Sequence, residues 1–159
     1  MTESPAERLV RALDLAEREE TALVDARDRL FPEGAPVTPA WLRGIADSPA
    51  RGDLVEAFAA RFGRFQDGLG TKVLPLLLAA LGERVGPLLD NLDRAHRFGW
   101  VDDPDAWMTA RGLRNRLVHE YVDDPDDLAD ALNMAGHYVP ALTAAHARMA
   151  EAARRRGIV

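Results

Sequence analysis

Apolar positions recur at helical spacing along almost the whole chain, and no stretch sustains the period-two alternation of a half-buried strand. Ser4-Pro5-x-Glu7 is a capping-box start, with proline at the first helical position. Leu9, Leu13, Ala16, Leu23, Ala26 and Leu30 follow it as one apolar stripe. Phe31-Pro32-Glu33-Gly34-Ala35-Pro36 should end that helix, and Thr38-Pro39 should start a short one through Trp41 and Ile45. A second long helix is predicted from about Gly52 to Leu81, with Leu54, Phe58, Phe62, Phe65 and Leu69 on one face. An aromatic stripe at this spacing reads as core rather than as a base-stacking platform. Gly68, Gly70 and Pro75 predict a kink or break within it.

Gly86-Pro87 opens a further helix through Leu88, Leu89, Leu92 and His96, which should stop near Phe98-Gly99. Asp102-Asp103-Pro104 caps a helix over 105–119. Asp124-Pro125 repeats that logic for a last helix through Leu128, Leu132, Ala135, Tyr138, Leu142 and Met149, bent at Gly136 and Pro140. The sum is an all-α chain: an up-and-down antiparallel bundle of four or five helices with short connections, forming a single domain over 1–159. No internal repeat is visible.

Composition narrows the function. The net charge is −6, which argues against a generally polyanion-binding surface, so any contact with nucleic acid needs a local basic patch. Lys72 is the only lysine; the other cations are arginines, which suit bidentate phosphate recognition. The basic tail Arg154-Arg155-Arg156 reads as a complement to a helix macrodipole. With no cysteine, disulfides and thiolate metal sites are excluded. The polar, acidic start does not resemble a signal peptide. The longest apolar run, Val73 to Leu81, is interrupted by Pro75 and falls well short of the roughly 18 residues of a membrane span. A soluble, cytoplasmic protein is expected.

The chemically informative stretch is Arg111-Gly112-Leu113-Arg114-Asn115-Arg116-Leu117-Val118-His119-Glu120-Tyr121. Leu113 and Leu117, with Trp107 and Ala110, supply its buried face. Arg111 and Arg114 fall on one side of the helix, and His119 comes roughly one turn beyond Arg114. An arginine and a histidine so placed suit metal-free RNA cleavage. Imidazole titrates near neutrality and can accept the proton of a ribose 2′-hydroxyl. Guanidinium stabilises charge building on the phosphoryl oxygens. Asn115 is placed to orient the phosphate or the histidine. The spacing Arg-x4-His is by itself weakly specific, because His119 also suits a helix C-terminus.

The longer string Arg114-Asn115-x-Leu117-Val118-His119-x-Tyr121 resembles the signature of the HEPN superfamily, and within it the HepT-like toxins and the related nucleotidyltransferase substrate-binding proteins. Trp107 and the downstream Asp123-Asp124-Pro125-Asp126 are similar to those families' pattern as well. The resemblance covers roughly Leu54 to Ala150. It implies a bundle core over 51–155, with 1–50 as an N-terminal helical extension. It implies a homodimer that joins two Arg-x4-His motifs in one cleft. Arg114, His119 and Asn115 would be catalytic there, and Arg111 and Arg116 would bind substrate. A HepT-like toxin would be a metal-independent endoribonuclease without a cofactor, restrained by a minimal nucleotidyltransferase antitoxin that adds AMP to Tyr121. The related families imply an alternative: a non-catalytic substrate-binding subunit of such a nucleotidyltransferase. A third reading is a plain helical interaction module.

Other candidates read as structural. His96, His137 and His146 lack the spacing of a zinc site. The turns at Asp102-Asp103 and at Asp123 to Asp127 read as helix caps rather than calcium loops. Gly68-x-Gly70-Thr71-Lys72 lacks the leading glycine and the strand of a P-loop.

Overall fold

The computed structural model describes residues 2–119 and 124–159; the side chains of Val118 and His119 and all of Tyr121 lie outside the described residues. Among the described residues every regular element is helical, and the elements pack as a bundle. The first helix, α1 (Pro5–Leu30), begins with the reciprocal capping box that its sequence predicts. The Glu7 N–H donates to Ser4 Oγ at 3.2 Å, and the Ser4 N–H donates to Glu7 Oε2 at 2.7 Å. These bonds, the one from the Ser4 backbone foremost, hold the Glu7 carboxyl below the usual carboxylate range.

All six residues of the predicted stripe on α1 are buried, in the same core as Phe58, Phe62 and Phe65. Helix α1 thus shares its core with α3 (Pro49–Gly68). The apolar face of α3 is covered chiefly by α1. Each large side chain sequestered there contributes about 1.5–3 kcal/mol. Between them, α2 (Pro39–Arg43) and the segment before it are tied to the last helix. There the Val37 N–H donates to Asn133 Oδ1 at 2.8 Å, and Asn133 Nδ2 donates to the Val37 carbonyl at 2.9 Å.

The break predicted around Gly68, Gly70 and Pro75 takes a specific form. The chain leaves α3 through one π-helical turn, Leu69–Val73, and continues as α4 (Leu74–Ala80). Pro75 falls in the first turn of α4, directly after this π turn, in which the Leu74 N–H reaches back five residues to the Leu69 carbonyl. The Thr71 hydroxyl donates to the Asp67 carbonyl at 2.6 Å across the widened turn.

Helix α5 (Leu88–Arg97) is preceded by a clamp, in which Asn91 bonds both the N–H and the carbonyl of Gly86, and followed by Gly99 at φ 79°. In α6 (Pro104–His119), Asp103 Oδ1 accepts from the N–H groups of Asp105 and Ala106. Trp107, Ala110, Leu113 and Leu117 form the buried face, as the sequence predicts. The last helix, α7 (Pro125–Arg155), is capped by Asp124 and runs as one element through both Gly136 and Pro140. Gly136 has a packing reason: the Phe31 ring lies against it, and an added Cβ would sit 2.9 Å from two ring carbons. Among the described residues no helix is long and apolar enough to cross a membrane.

Candidate functional site

Helix α6 carries the candidate motif, and its seat on α3 fixes where the motif lies. The buried amide of Gln66 on α3 donates from Nε2 to the Trp107 carbonyl at 3.2 Å. Two turns further along α6, Arg114 crosses α3 directly over Gly63. A Cβ at position 63 would lie 2.9 Å from Arg114 Nε and 3.1 Å from its Cγ, so only glycine lets the side chain lie this close to the helix. Past Gly63 the guanidinium meets Asp67, one turn on, with Nη1 2.8 Å from Oδ2. Both side chains are half-buried and reach solvent.

Arg114 is one wall of a groove of about 570 Å3 between α1, α3 and α6. Glu19, Arg64, Asp67, Thr71 and Lys72 are the other polar groups lining it, over a floor that includes Gly63 and Gly68. Gly68 acts toward Glu19 as Gly63 does toward Arg114, since a Cβ there would stand 3.2 Å from Glu19 Oε2. That oxygen is buried without a hydrogen-bond partner. Burial pushes the Glu19 carboxyl above the usual carboxylate range, against the opposing pull of Lys72 and Arg64. Arg64 and Lys72 are exposed, and neither has an ion pair among the described residues. With Arg64, Lys72 and Arg114 set against Glu19 and Asp67, the groove has a local positive excess in a chain of net charge −6.

Of the described motif side chains Arg111, Arg114, Asn115 and Arg116, Arg114 is the one that lines this groove. Arg111 and Asn115 are exposed elsewhere on α6, and Arg116 is half-buried. The backbone of α6 continues through His119, about 7.5 Å along the helix axis from Arg114. The catalytic assignment of the His119 imidazole and the modification assigned to Tyr121 both fall outside the described residues. Sequence reasoning missed Glu19, Arg64, Asp67 and Lys72 as partners of Arg114. The available signal was Gly63 and Gly68, two glycines inside a strongly helical segment, where each costs about 1 kcal/mol relative to alanine.

The remaining histidines have other surroundings. His96 Nδ1 donates to the Val101 carbonyl at 3.0 Å, and buried His146 pairs with Glu20 at 3.0 Å while Phe65 meets its ring edge-on. Among the described residues no group of three or more His, Asp or Glu is placed to hold a metal ion. A second depression, of about 540 Å3, lies beside Phe31 and His137, and none of the described motif residues lines it. The α1–α3–α6 groove is therefore the better candidate for chemistry.

No family model matches the chain, and no curated protein and no solved structure does either.

Proposed function

We propose that this protein is a metal-independent endoribonuclease of the HEPN type, working as a homodimer, with Arg114 and His119 as its catalytic pair. The observation that carries this reading is the placement of Arg114. Its guanidinium lies half-buried at the wall of a solvent-reached groove with a positive excess, on the helix that leads to His119.

In the reaction, the His119 imidazole takes the proton from a ribose 2′-hydroxyl, and the oxygen attacks the adjacent phosphorus. The bond from phosphorus to the 5′-oxygen breaks, and that oxygen leaves with the proton that the imidazole took up, passed on directly or through water. The products are a 2′,3′-cyclic phosphate and a 5′-hydroxyl end. Arg114 balances the charge that grows on the non-bridging oxygens. Asn115 orients the phosphate, and Arg111 and Arg116 bind flanking RNA. Five positions on a regular helix also turn through about 140°, so a second protomer placing its own motif opposite is the simplest way to bring both groups to one phosphate. A minimal nucleotidyltransferase is the proposed antitoxin. An AMP group on Tyr121 would block the cleft by charge and volume together.

The test is cleavage of cellular RNA in EDTA by the wild type and by His119→Ala. Cleavage by the wild type, with a loss of at least about a hundredfold in the variant at unchanged thermal stability, is expected. Equal activity of the two proteins refutes the assignment. Intact RNA with wild type that nevertheless binds a nucleotidyltransferase would favour the substrate-binding subunit instead.

A further inference from the structure

We propose that the groove between α1, α3 and α6 is a strand-binding subsite for RNA, in which Lys72 and Arg64 hold backbone phosphates beside the one at Arg114. This builds on the ribonuclease reading, but it makes a separate claim about residues outside the motif.

Three observations carry it. The first is charge: Arg64 and Lys72 are exposed and lack ion pairs among the described residues, in a wall where the third cation already has its carboxylate. Such cations are the groups that a phosphodiester can engage without displacing anything. The second is extent. The groove adjoins a shallower depression of about 160 Å3, and the two share Glu19 and Arg64; the second adds Arg18 and Arg61. Cations thus follow one another from Arg114 across α3 toward α1. Arg64 and Lys72 are eight residues apart, which is about 12 Å along a helix, so one phosphate cannot span both. A track of that length fits a strand rather than a mononucleotide.

The third is the junction between the depressions. Glu19 lies there with a buried oxygen that has no hydrogen-bond partner. A ribose hydroxyl both donates and accepts, so it can satisfy that carboxyl in either protonation state, whereas a phosphate oxygen can only accept. Arg64 and Lys72 line the same groove as Glu19 and favour its charged form, so the carboxyl stands among cations rather than alone on the track. Thr71 and Lys72, on the π-helical turn Leu69–Val73, continue the face of Gly63, Arg64, Asp67 and Gly68 at steps of three and four residues, so Lys72 lies in the same groove.

The experiment measures binding of a fluorescent oligoribonucleotide of about ten nucleotides by anisotropy over a series of salt concentrations. It uses the full chain carrying His119→Ala, so that no probe is cut. Within that background, Lys72→Gln is expected to weaken binding at least about threefold and to lower the salt slope by about 0.7, the value for one single-strand phosphate contact. Adding Arg64→Gln should roughly double both effects. Arg155→Gln, an exposed cation at the far end of α7, should change neither. AMP at equal phosphate concentration should compete poorly. Unchanged affinity and slope in the double variant, no binding by the parent protein, or full competition by AMP would each overturn the subsite. The two claims also fail separately. A wild type that cuts RNA while the double variant binds normally refutes only the groove. A double variant that loses binding, in a protein whose wild type never cuts RNA, refutes only the nuclease.

Discussion

Replacing Gly63 by alanine should leave the fold almost untouched and still damage the site. Alanine is favoured over glycine in a helix interior by about 0.8–1.0 kcal/mol. Against that gain, the new Cβ would lie 2.9 Å from Arg114 Nε, 3.1 Å from Cγ and 3.3 Å from Cδ, so the arginine must leave from near its base rather than bend at its tip. Its ion pair with Asp67 is half-exposed, and losing such a pair costs about 0.2–1 kcal/mol. An off-rotamer side chain would cost about 0.5–1.5 kcal/mol if it stayed, so it will move instead. The net change in stability is within about 1 kcal/mol of zero. For a chain of 159 residues that is a shift in Tm of no more than about 2–4 °C. The guanidinium, however, no longer lies over α3. Removal of one transition-state donor from an enzyme site costs as much as about 100–1,000-fold in rate, so under the proposed ribonuclease function a fall in RNA cleavage of at least tenfold is expected. Circular-dichroism melting and cleavage in EDTA, run on the same preparation, read both quantities. Full cleavage at unchanged Tm would refute the idea that Arg114 acts from its seat over Gly63. A Tm lowered by more than about 10 °C would show that the seat is chiefly structural.

Gly136→Ala makes the opposite prediction from the same chemistry. Its Cβ would press on Cε2 and Cζ of Phe31, a buried ring that is itself held edge-on by Phe58 at 5.4 Å, so overpacking of about 1–3 kcal/mol should exceed the helix-propensity gain and lower Tm. Glu19→Gln should stabilise the protein at neutral pH. The folded state raises the Glu19 pKa, so between its unfolded and folded values the native state holds more protons and stability falls as pH rises. The advantage of the glutamine variant should appear above the ordinary carboxylate pKa and vanish in acid below it; melting curves at several pH values that run parallel for the two proteins would contradict this.

Much of the fold was legible because it rests on local rules. Capping boxes, proline at first helical turns and apolar stripes depend on residues three or four positions apart, so Ser4 with Glu7, Asp103 before Pro104 and the Trp107–Leu117 face could be located from the sequence alone. The break near Gly70 was legible as well, though its form as a π turn was not, since that depends on how α3 and α4 share their load against α1.

The candidate site divides along the same line. The string from Arg114 to Tyr121 is contiguous, so the sequence by itself determined that a guanidinium and an imidazole follow one another on the sixth helix. It did not determine what faces them. Asp67 is 47 positions from Arg114, and Glu19 lies nearly a hundred residues before it; no periodicity relates such distant positions. Only the packing of both α1 and α6 against α3 brings their side chains to one groove, and only the missing Cβ atoms of Gly63 and Gly68 let them approach it so closely. Helix formation is set by neighbours in the chain, whereas a site is set by neighbours in space, and those exist only once the core has closed.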